Sequence, residues 1–266
     1  MSLSSFFSRK SIRTIIEHIP LLKRLSSRRI DKTDEYIRFH CGEAAIKNWT
    51  VHEKQLWVKF FPIFDKFKID TIVYVGAHTG DIALALNRIF PGRRFYLIEP
   101  VPETFQILNK NTENYKNIHC INIALGAEEG LFEMFVDQFS AASSLLPSNE
   151  LALKEFPQLG KQVAIKVRVK TLDNILHIYG INTVDLLIID VQGYEDKVFE
   201  GSSETLKNCK VVVSELSLWP LYTGSSTFDS VYQKLRKLGF QMRYIINTIA
   251  GESQQILQID GVFSRE

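Results

Sequence analysis

The sequence predicts an α/β fold in which helices cover both faces of a mainly parallel β-sheet. Short, almost uninterrupted apolar runs, such as residues 71–75 and 184–190, are typical of parallel strands that are buried on both faces. Segments with apolar residues at helical spacing alternate with these runs, as they do in folds built from β-α-β units. The last two strand-like runs, residues 241–247 and 255–263, are joined by a short polar turn, which favours an antiparallel pair at the C-terminal end.

The first of these runs ends in a glycine turn. Gly76 and Gly80 follow the strand-like Thr-Ile-Val-Tyr-Val, and a helical pattern begins at Ile82. Glycine is used where the backbone takes a positive φ or lies close to a ligand, and the free N–H groups that start a helix point to the same place. We therefore expect a nucleotide-type site in the crevice at the carboxyl end of this strand.

The spacing of the turn distinguishes two kinds of nucleotide cofactor. A dinucleotide site requires Gly-x-Gly-x-x-Gly, whereas position 78 is His78. The next run, residues 94–98, is followed by Glu99, whose carboxylate can accept both hydroxyls of a ribose. Adenosine without a diphosphate is therefore predicted, which fits S-adenosylmethionine better than a nicotinamide dinucleotide. The alternative is a glycine turn that only packs a helix on the sheet.

A series of motifs extends this pattern along the chain. In order they are Val75-Gly-Ala-His-Thr-Gly-Asp81, Ile98-Glu-Pro100, Ile123-Ala-Leu-Gly126, Thr171-Leu-Asp173, Ile189-Asp-Val-Gln-Gly-Tyr-Glu195 and Ser214-Glu-Leu216. Together they resemble the FkbM family of S-adenosylmethionine-dependent methyltransferases, from about residue 69 to the C-terminus. Two departures from the family pattern are His78, where Asn is common, and Ile188, where Lys is frequent.

The resemblance implies a class I methyltransferase fold: a Rossmann-like, seven-stranded, mainly parallel sheet with an antiparallel C-terminal strand pair. It also implies S-adenosylmethionine as cofactor and O-methylation of a hydroxyl on a sugar, a glycan or glycolipid, or a polyketide-type metabolite. Ala124 follows the third strand, where such folds hold adenine. The cofactor-binding residues expected are Gly76, Ala77, His78, Thr79, Gly80, Glu99, Pro100, Ala124 and Asp190.

Acidic residues close three of the predicted parallel strands. Because carboxyl ends of parallel strands meet at one edge, Glu99, Asp190 and Glu215 should surround one crevice. Methyl transfer to an alcohol needs a base within hydrogen-bond reach, and we assign Asp190 and Glu215 as the catalytic residues, with Asp190 as base or orienter. These two carboxylates are also of the type that binds Mg²⁺, but two are too few to predict a metal. Glu195 is interpreted as an acid in the first turn of a helix.

The amino-acid composition and net charge argue against some classes of function. The chain has 266 residues, 45% of them hydrophobic, and a formal net charge of +2, with no basic run interleaved with aromatic residues. No nucleic-acid partner is therefore expected. Three scattered cysteines, and the lack of an apolar run of membrane-spanning length, favour a cytoplasmic enzyme. The family resemblance implies a small-molecule or saccharide acceptor as its partner.

The N-terminal end carries a strong excess of positive over negative charge. Seven Lys or Arg occur in residues 1–30 against one acid, and Ile12, Ile15, Ile16 and Ile19 predict a short amphipathic helix. We divide the chain into a basic helical extension, residues 1–49, and a methyltransferase domain, residues 50–266. The favoured interpretation is that the extension packs on the domain or on a second subunit of a homo-oligomer. The alternative is peripheral contact with the anionic inner face of a membrane.

Two segments are candidates for acceptor binding. Thr50-x-x-Glu53 predicts a capped helix whose aromatic residues form either core or an acceptor lid, with core favoured. Residues 137–160 have a weak pattern and predict a mobile loop, which we interpret as the main acceptor-binding segment, with a plain surface insertion as the alternative. Trp219, Pro220 and Tyr222 on the loop after the fifth parallel strand offer an apolar or sugar-stacking wall, and the alternative is that these residues belong to the core.

Two other functions remain open on the sequence alone. A nicotinamide-dependent oxidoreductase would use a similar sheet, but its glycine fingerprint is missing. A catalytically inactive methyltransferase fold that acts as a scaffold in a glycan-assembly complex would keep the motifs and bind a stable protein partner.

Overall fold

The structure, a computed structural model, describes residues 33–265. The chain divides into two compact units: one comprises residues 33–67 and Leu84–Pro91, and the other comprises Lys68–Ala83 and the residues from Gly92 onward. The amphipathic helix expected around Ile12–Ile19 lies outside the described residues. The domain boundary at residue 50 stays a prediction.

The first unit is helical. Residues 33–41 form α1, Glu43–Asn48 form α2 and Val51–Lys66 form α3. The predicted capping box begins α3: Glu53 N donates to Thr50 Oγ1 at 3.2 Å, and Thr50 N donates to Glu53 Oε2 at 2.6 Å. Leu56, Trp57 and Phe60 are at most 2% exposed, which supports core rather than lid for this face of the helix.

Helices and strands alternate from β1 to β3 and again from α6 to β7, as predicted, and consecutive strands or helices occur elsewhere. The strands are β1 Thr71–Val75, β2 Arg94–Ile98, β3 Ile118–Ile121, β4 Ala124–Leu125, β5 Gly130–Val136, β6 Val163–Lys170, β7 Leu186–Ile189, β8 Val211–Ser217, β9 Gln241–Ala250 and β10 Ile256–Ser264. The helices are α4 Asp81–Ile89, α5 Pro102–Thr112, α6 Glu150–Glu155, α7 Leu172–Ile178, α8 Glu195–Glu200, α9 Ser203–Asn208 and α10 Phe228–Lys237.

Seven strands form the main sheet, in the order β3-β2-β1-β7-β8-β10-β9. The pairs β3–β2, β2–β1, β1–β7 and β7–β8 are parallel, whereas β10 is antiparallel to both of its neighbours. Every residue of β1 and β7 is buried, as expected for central strands covered on both faces. The class I methyltransferase fold and its antiparallel C-terminal pair are confirmed.

The strand order indicates where a ligand crevice lies in the sheet. From β1 the chain proceeds to β2 and β3 on one side, and β7 lies on the other side of β1. The sheet therefore reverses direction between β1 and β7, and ligands of open α/β sheets bind at the carboxyl ends of the strands beside such a point.

A second, three-stranded sheet was not predicted as a separate unit. β6 pairs in parallel with β4 and antiparallel with β5. The sequence gives no indication of this pairing. One face of this sheet contributes to a small apolar cluster of Val101, Ala124, Met134, Val167 and Val169.

The segment 137–160 is more ordered than the loop that was predicted. It contains a 3₁₀ turn, Ser140–Ala142, and the helix α6, which the side chain of Asn149 caps by accepting from Ala152 N at 3.0 Å. Asp137 Oδ1 accepts from Phe139 N at 2.8 Å and from Gly160 N at 3.1 Å, so one carboxylate joins the two ends of the segment. Side-chain hydrogen bonds of this kind leave no periodic trace in a sequence.

Helix lengths bear on membrane insertion. Within residues 33–265, no helix combines the length and the apolar character that crossing a bilayer requires.

Candidate functional site

The glycine turn after β1 has the geometry that the sequence predicted. Gly76 has φ of 81°, and a Cβ added there would lie 1.8 Å from the backbone oxygen of Asp190. Its N–H and that of Ala77 both donate to Ile98 O, at 2.9 and 3.0 Å. Only glycine fits this position, because the turn joins the ends of β1, β2 and β7 so closely.

The amides of the turn are largely used within the protein. His78 N donates to Glu99 Oε2 at 3.0 Å, and Gly80 N donates to Ala77 O at 3.0 Å. With Gly76 and Ala77, four of the five N–H groups from Gly76 to Gly80 therefore have protein acceptors. A diphosphate needs such donors free, so this turn does not suit a nicotinamide dinucleotide.

Glu99 lies at the end of β2 and is 5% exposed. Its two carboxylate oxygens accept from Val101 N at 2.9 Å and from His78 N at 3.0 Å. Burial raises the pKa of Glu99 to about 7, although these two N–H groups work in the opposite direction. Each oxygen keeps a further acceptor position, so the carboxylate fits the two hydroxyls of a ribose.

Asn122 holds the turn after β2 from the neighbouring strand end. Its Nδ2 donates to Glu99 O at 2.8 Å and to Pro100 O at 3.1 Å. Sequence reasoning missed this residue, since an asparagine after a strand has no distinctive spacing. Asn122 therefore fixes the backbone of the two residues expected to contact the cofactor there.

His78 connects the glycine turn to the segment 137–160. It has φ of 51°, which is uncommon for a residue with a Cβ, and its Nε2 lies 2.8 Å from Ser140 Oγ. Thr79 Oγ1 lies 3.3 Å from His78 Nδ1 and donates to Asp81 Oδ2 at 3.1 Å. Burial lowers the pKa of His78, so the ring is neutral at pH 7.

Ala124 lies in β4 rather than in an open loop. Its side chain is 4% exposed and belongs to the small apolar cluster of the second sheet. The side chain therefore has a packing role, and contact with adenine through this residue's backbone stays a prediction.

Asp190 and Glu215 are brought to one place by β7 and β8, as predicted. The Nε2 of Gln192 donates to Asp190 Oδ1 at 2.7 Å and lies 3.4 Å from Glu215 Oε1. Glu215 is 3% exposed, and its Oε2 has no hydrogen-bond partner among residues 33–265. Burial, and then the charge of Asp190, raise the pKa of Glu215 well above its usual range. Sequence reasoning quoted Gln192 within a motif but assigned it no role.

Glu195 organises the loop after β7. Its Oε1 accepts from Gly193 N at 3.0 Å, and Ser226 Oγ donates to its Oε2 at 2.7 Å. It is 2% exposed, and burial raises its pKa to about 7. These contacts agree with the structural interpretation of Glu195, which binds backbone groups at the start of α8.

No group of three or more metal-ligating side chains was found among residues 33–265. Trp219, half exposed, and Leu218 lie directly after β8, and their part in acceptor binding stays a prediction.

A cavity of about 310 Å³ lies elsewhere, at the amino-terminal side of β7. It is lined by residues of α7 and α9, and Asp173 accepts there from Glu204 N and Thr205 N, at 2.9 and 2.8 Å. This carboxylate therefore caps α9. None of the strand-end acids lines the cavity, so the cavity is separate from them.

Comparisons with known proteins agree with this geometry. A family model described as the methyltransferase FkbM domain matches residues 75–242. The chain is 24% identical over 172 residues to the 2-O-methyltransferase NoeI of Sinorhizobium fredii (strain NBRC 101917 / NGR234), covering 62% of this chain and 70% of NoeI. It is 25% identical over 156 residues to methyltransferase sdnD of Sordaria araneosa, covering 50% of this chain and 60% of sdnD.

Solved structures show a more distant likeness. Magnesium protoporphyrin IX methyltransferase (ChlM) from Synechocystis PCC 6803 with bound SAM is 11% identical, with a TM-score of 0.45 over 88% of this chain and 97% of that chain. Fibrillarin of Aeropyrum pernix in complex with S-adenosyl-L-methionine is 14% identical, with a TM-score of 0.44 over 73% of this chain and 66% of that chain.

The family model spans more than half of the chain and includes the glycine turn, Glu99, Asp190 and Glu215. The chain belongs to the FkbM family of S-adenosylmethionine-dependent methyltransferases.

Proposed function

We propose that this protein is an O-methyltransferase whose acceptor is a hydroxyl of a sugar, a glycan or glycolipid, or a polyketide-type metabolite. The observation that carries the proposal is the convergence of Asp190 and Glu215 at the carboxyl edge of the sheet, beside the turn that contains Glu99. The similarity to NoeI, a 2-O-methyltransferase, supports transfer to oxygen.

The residues of the proposed site have different roles, which follow from their positions. When bound, S-adenosylmethionine supplies an electrophilic methyl group. Glu99 accepts the ribose hydroxyls, and the backbone of Gly76 to Gly80 forms the floor beneath them. Pro100 and Asp190 complete the proposed cofactor contacts.

Asp190 acts on the acceptor. Its carboxylate is partly exposed and receives the proton of the acceptor hydroxyl, which it later passes to water. Glu215 is buried and is the second proposed catalytic carboxyl. The segment 137–160 and Trp219 provide the proposed walls for the acceptor.

Titration with S-adenosylhomocysteine by calorimetry tests the cofactor half of the proposal. We expect micromolar binding, about 8 kcal/mol, by the wild type and its loss in Glu99→Ala. Glu103→Ala is the matched control, because Glu103 is an exposed acid four residues further on, in the first turn of α5. Mass-spectrometric screening of saccharide and lipid-linked acceptors then tests the transfer.

The other functions give different results in the same experiment. Tight binding of NAD without S-adenosylhomocysteine would indicate the oxidoreductase. No cofactor binding by the wild type, together with a stable protein partner, would indicate the scaffold.

A further inference from the structure

A chain of hydrogen bonds joins the loop after β8 to the strand-end acids. The hydroxyl of Tyr222 lies 2.9 Å from Gln192 Oε1, and the amide nitrogen of Gln192 lies 2.7 Å from Asp190 and 3.4 Å from Glu215. Tyr222 and Gln192 are 3% and 5% exposed. In a buried network each polar side chain needs a hydrogen-bond partner. The donor and acceptor groups of these side chains therefore limit the direction that each bond can take.

The chemistry of the groups fixes that direction. An ionised carboxylate only accepts hydrogen bonds, so the NH₂ end of the Gln192 amide must face Asp190. Its oxygen then faces Tyr222, whose hydroxyl is the donor. Ala142 O, at 3.1 Å, is a second acceptor within reach of the same hydroxyl. Tyr222 therefore distinguishes the two ends of the amide and holds the donor end toward the acids.

The backbone of Gln192 is held in an uncommon conformation. Its φ is 56°, and Gly193 follows with φ of 94°. Ser144 Oγ donates to Gln192 O at 2.8 Å, which links this loop to the segment 137–160. Strained residues persist where surrounding contacts over-determine them, and they concentrate at functional sites.

Several ionisable groups from neighbouring elements face the two acids. They are Tyr74 on β1, His78 after β1, Glu99 after β2, Glu195 on α8, Tyr222 after β8 and Asp260 on β10. In the described part of the chain, the shortest contact of the Gln192 amide within this group is to Asp190. The amide therefore favours a negative charge on Asp190 over one on Glu215.

We propose that Gln192, oriented by the Tyr222 hydroxyl, is a positioning residue that makes Asp190, rather than Glu215, the acceptor of the substrate hydroxyl proton. The inference rests on the proposed O-methyltransferase function. It adds different roles for the two acids and attributes the difference to two buried side chains.

Carboxyl ¹³C NMR of the full-length protein labelled in Asp and Glu tests the proposal without an acceptor. At pH 7 the proposal predicts that the Asp190 signal lies nearer to the position of a carboxylate than the Glu215 signal does. Asp190→Asn and Glu215→Gln assign the two signals. In Gln192→Met, which keeps the side-chain length and the backbone strain, the two signals should move toward each other as both carboxyls share the proton.

Tyr222→Phe should produce the same movement with smaller amplitude, because it removes only the hydroxyl that orients the amide. Gln258→Met is the control: Gln258 is also buried, at 1% exposure, but its amide lies near Ser217 rather than the acids. Unchanged signals in a cooperatively melting Gln192→Met would overturn the proposal. If Gln192→Met does not fold, unchanged signals in Tyr222→Phe do so.

Failure of this inference and failure of the proposed function are distinguishable. A wild type that binds no S-adenosylhomocysteine contradicts the function. A wild type that binds it, with carboxyl signals unaltered by both variants, contradicts only the role of Gln192.

Discussion

Glu99 is buried because the end of β2 is covered by the residues that it bonds, Val101 and His78. Burial raises its pKa to about 7, so near neutral pH the free protein contains both forms of this carboxyl. Hydrogen bonds donated by ribose hydroxyls favour the ionised form. Binding of the cofactor and loss of this proton are therefore linked.

This linkage predicts the pH dependence of cofactor affinity. Below pH 7 the neutral form of Glu99 predominates and must lose its proton on binding, so affinity falls as pH decreases. Between pH 8 and pH 6 we expect the dissociation constant of S-adenosylhomocysteine to rise about 10-fold. Calorimetry across this range measures it. Glu99→Gln should bind more weakly with a flat profile, and a sloping profile in that variant would assign the effect to another group.

The strand-end acids could be predicted from sequence because they depend on local pattern. Glu99, Asp190 and Glu215 each follow an apolar run, and parallel strands place such residues at one edge. The contact of Gln192 with Tyr222 joins residues 30 positions apart on two irregular loops. A single sequence contains no periodicity that reports such a contact, so this part of the site required the structure.

At the level of elements, the turn between β1 and α4 is limited by backbone contact. Gly76 lies against the carbonyl that ends β7, and a rigid peptide group cannot move away as a flexible side chain would. The turn thus couples the ends of three strands through one residue.

Gly76→Ala should abolish cofactor binding. The Cβ would lie 1.8 Å from Asp190 O, in addition to the cost of a positive φ, which is about 1–2 kcal/mol. Gly92→Ala is the matched control, because Gly92 has φ of 82° but nothing within 4 Å of the added Cβ. We expect urea denaturation to show a loss of about 1–2 kcal/mol for the control and a larger loss for Gly76→Ala. Equal losses would contradict the contact argument.

Element prediction succeeded where periodicity was strong and failed where side chains set the backbone. β1 and β7 were evident as apolar runs, whereas the pairing of β4, β5 and β6 into a separate sheet was not. The segment 137–160 was predicted as a loop because its order comes from Asp137 and Asn149, which bond backbone groups within it.

On the scale of the whole molecule, the site concentrates buried acids. Burial raises the pKa values of Glu99 and Glu195 to about 7 and raises that of Glu215 well above its usual range. The folded protein therefore binds these protons more tightly than the unfolded chain does, and the chain loses stability as pH rises through the folded pKa values. His78, whose pKa burial lowers, opposes this trend at lower pH.

The unfolding free energy of the cofactor-free protein should therefore decrease between pH 6 and pH 8, by on the order of 1 kcal/mol for each carboxyl that titrates in this range. Urea denaturation at several pH values measures this slope. Glu195→Gln should reduce it. Glu200→Gln should not, because Lys197 and Lys234 lower the pKa of Glu200, which is then ionised in both states above pH 6. A slope unaffected by Glu195→Gln would show that other groups cause it.

The closure of the segment 137–160 by Asp137 has an engineering consequence. Because one carboxylate binds Phe139 N and Gly160 N, the segment leaves and re-enters the framework at neighbouring points. A stretch with such adjacent ends can be exchanged as a cassette, provided that the replacement also restores the hydrogen bonds of the segment to the glycine turn and to the loops after β7 and β8. We expect such an exchange of one continuous piece of chain to alter acceptor preference, because the segment is the proposed wall of the acceptor site.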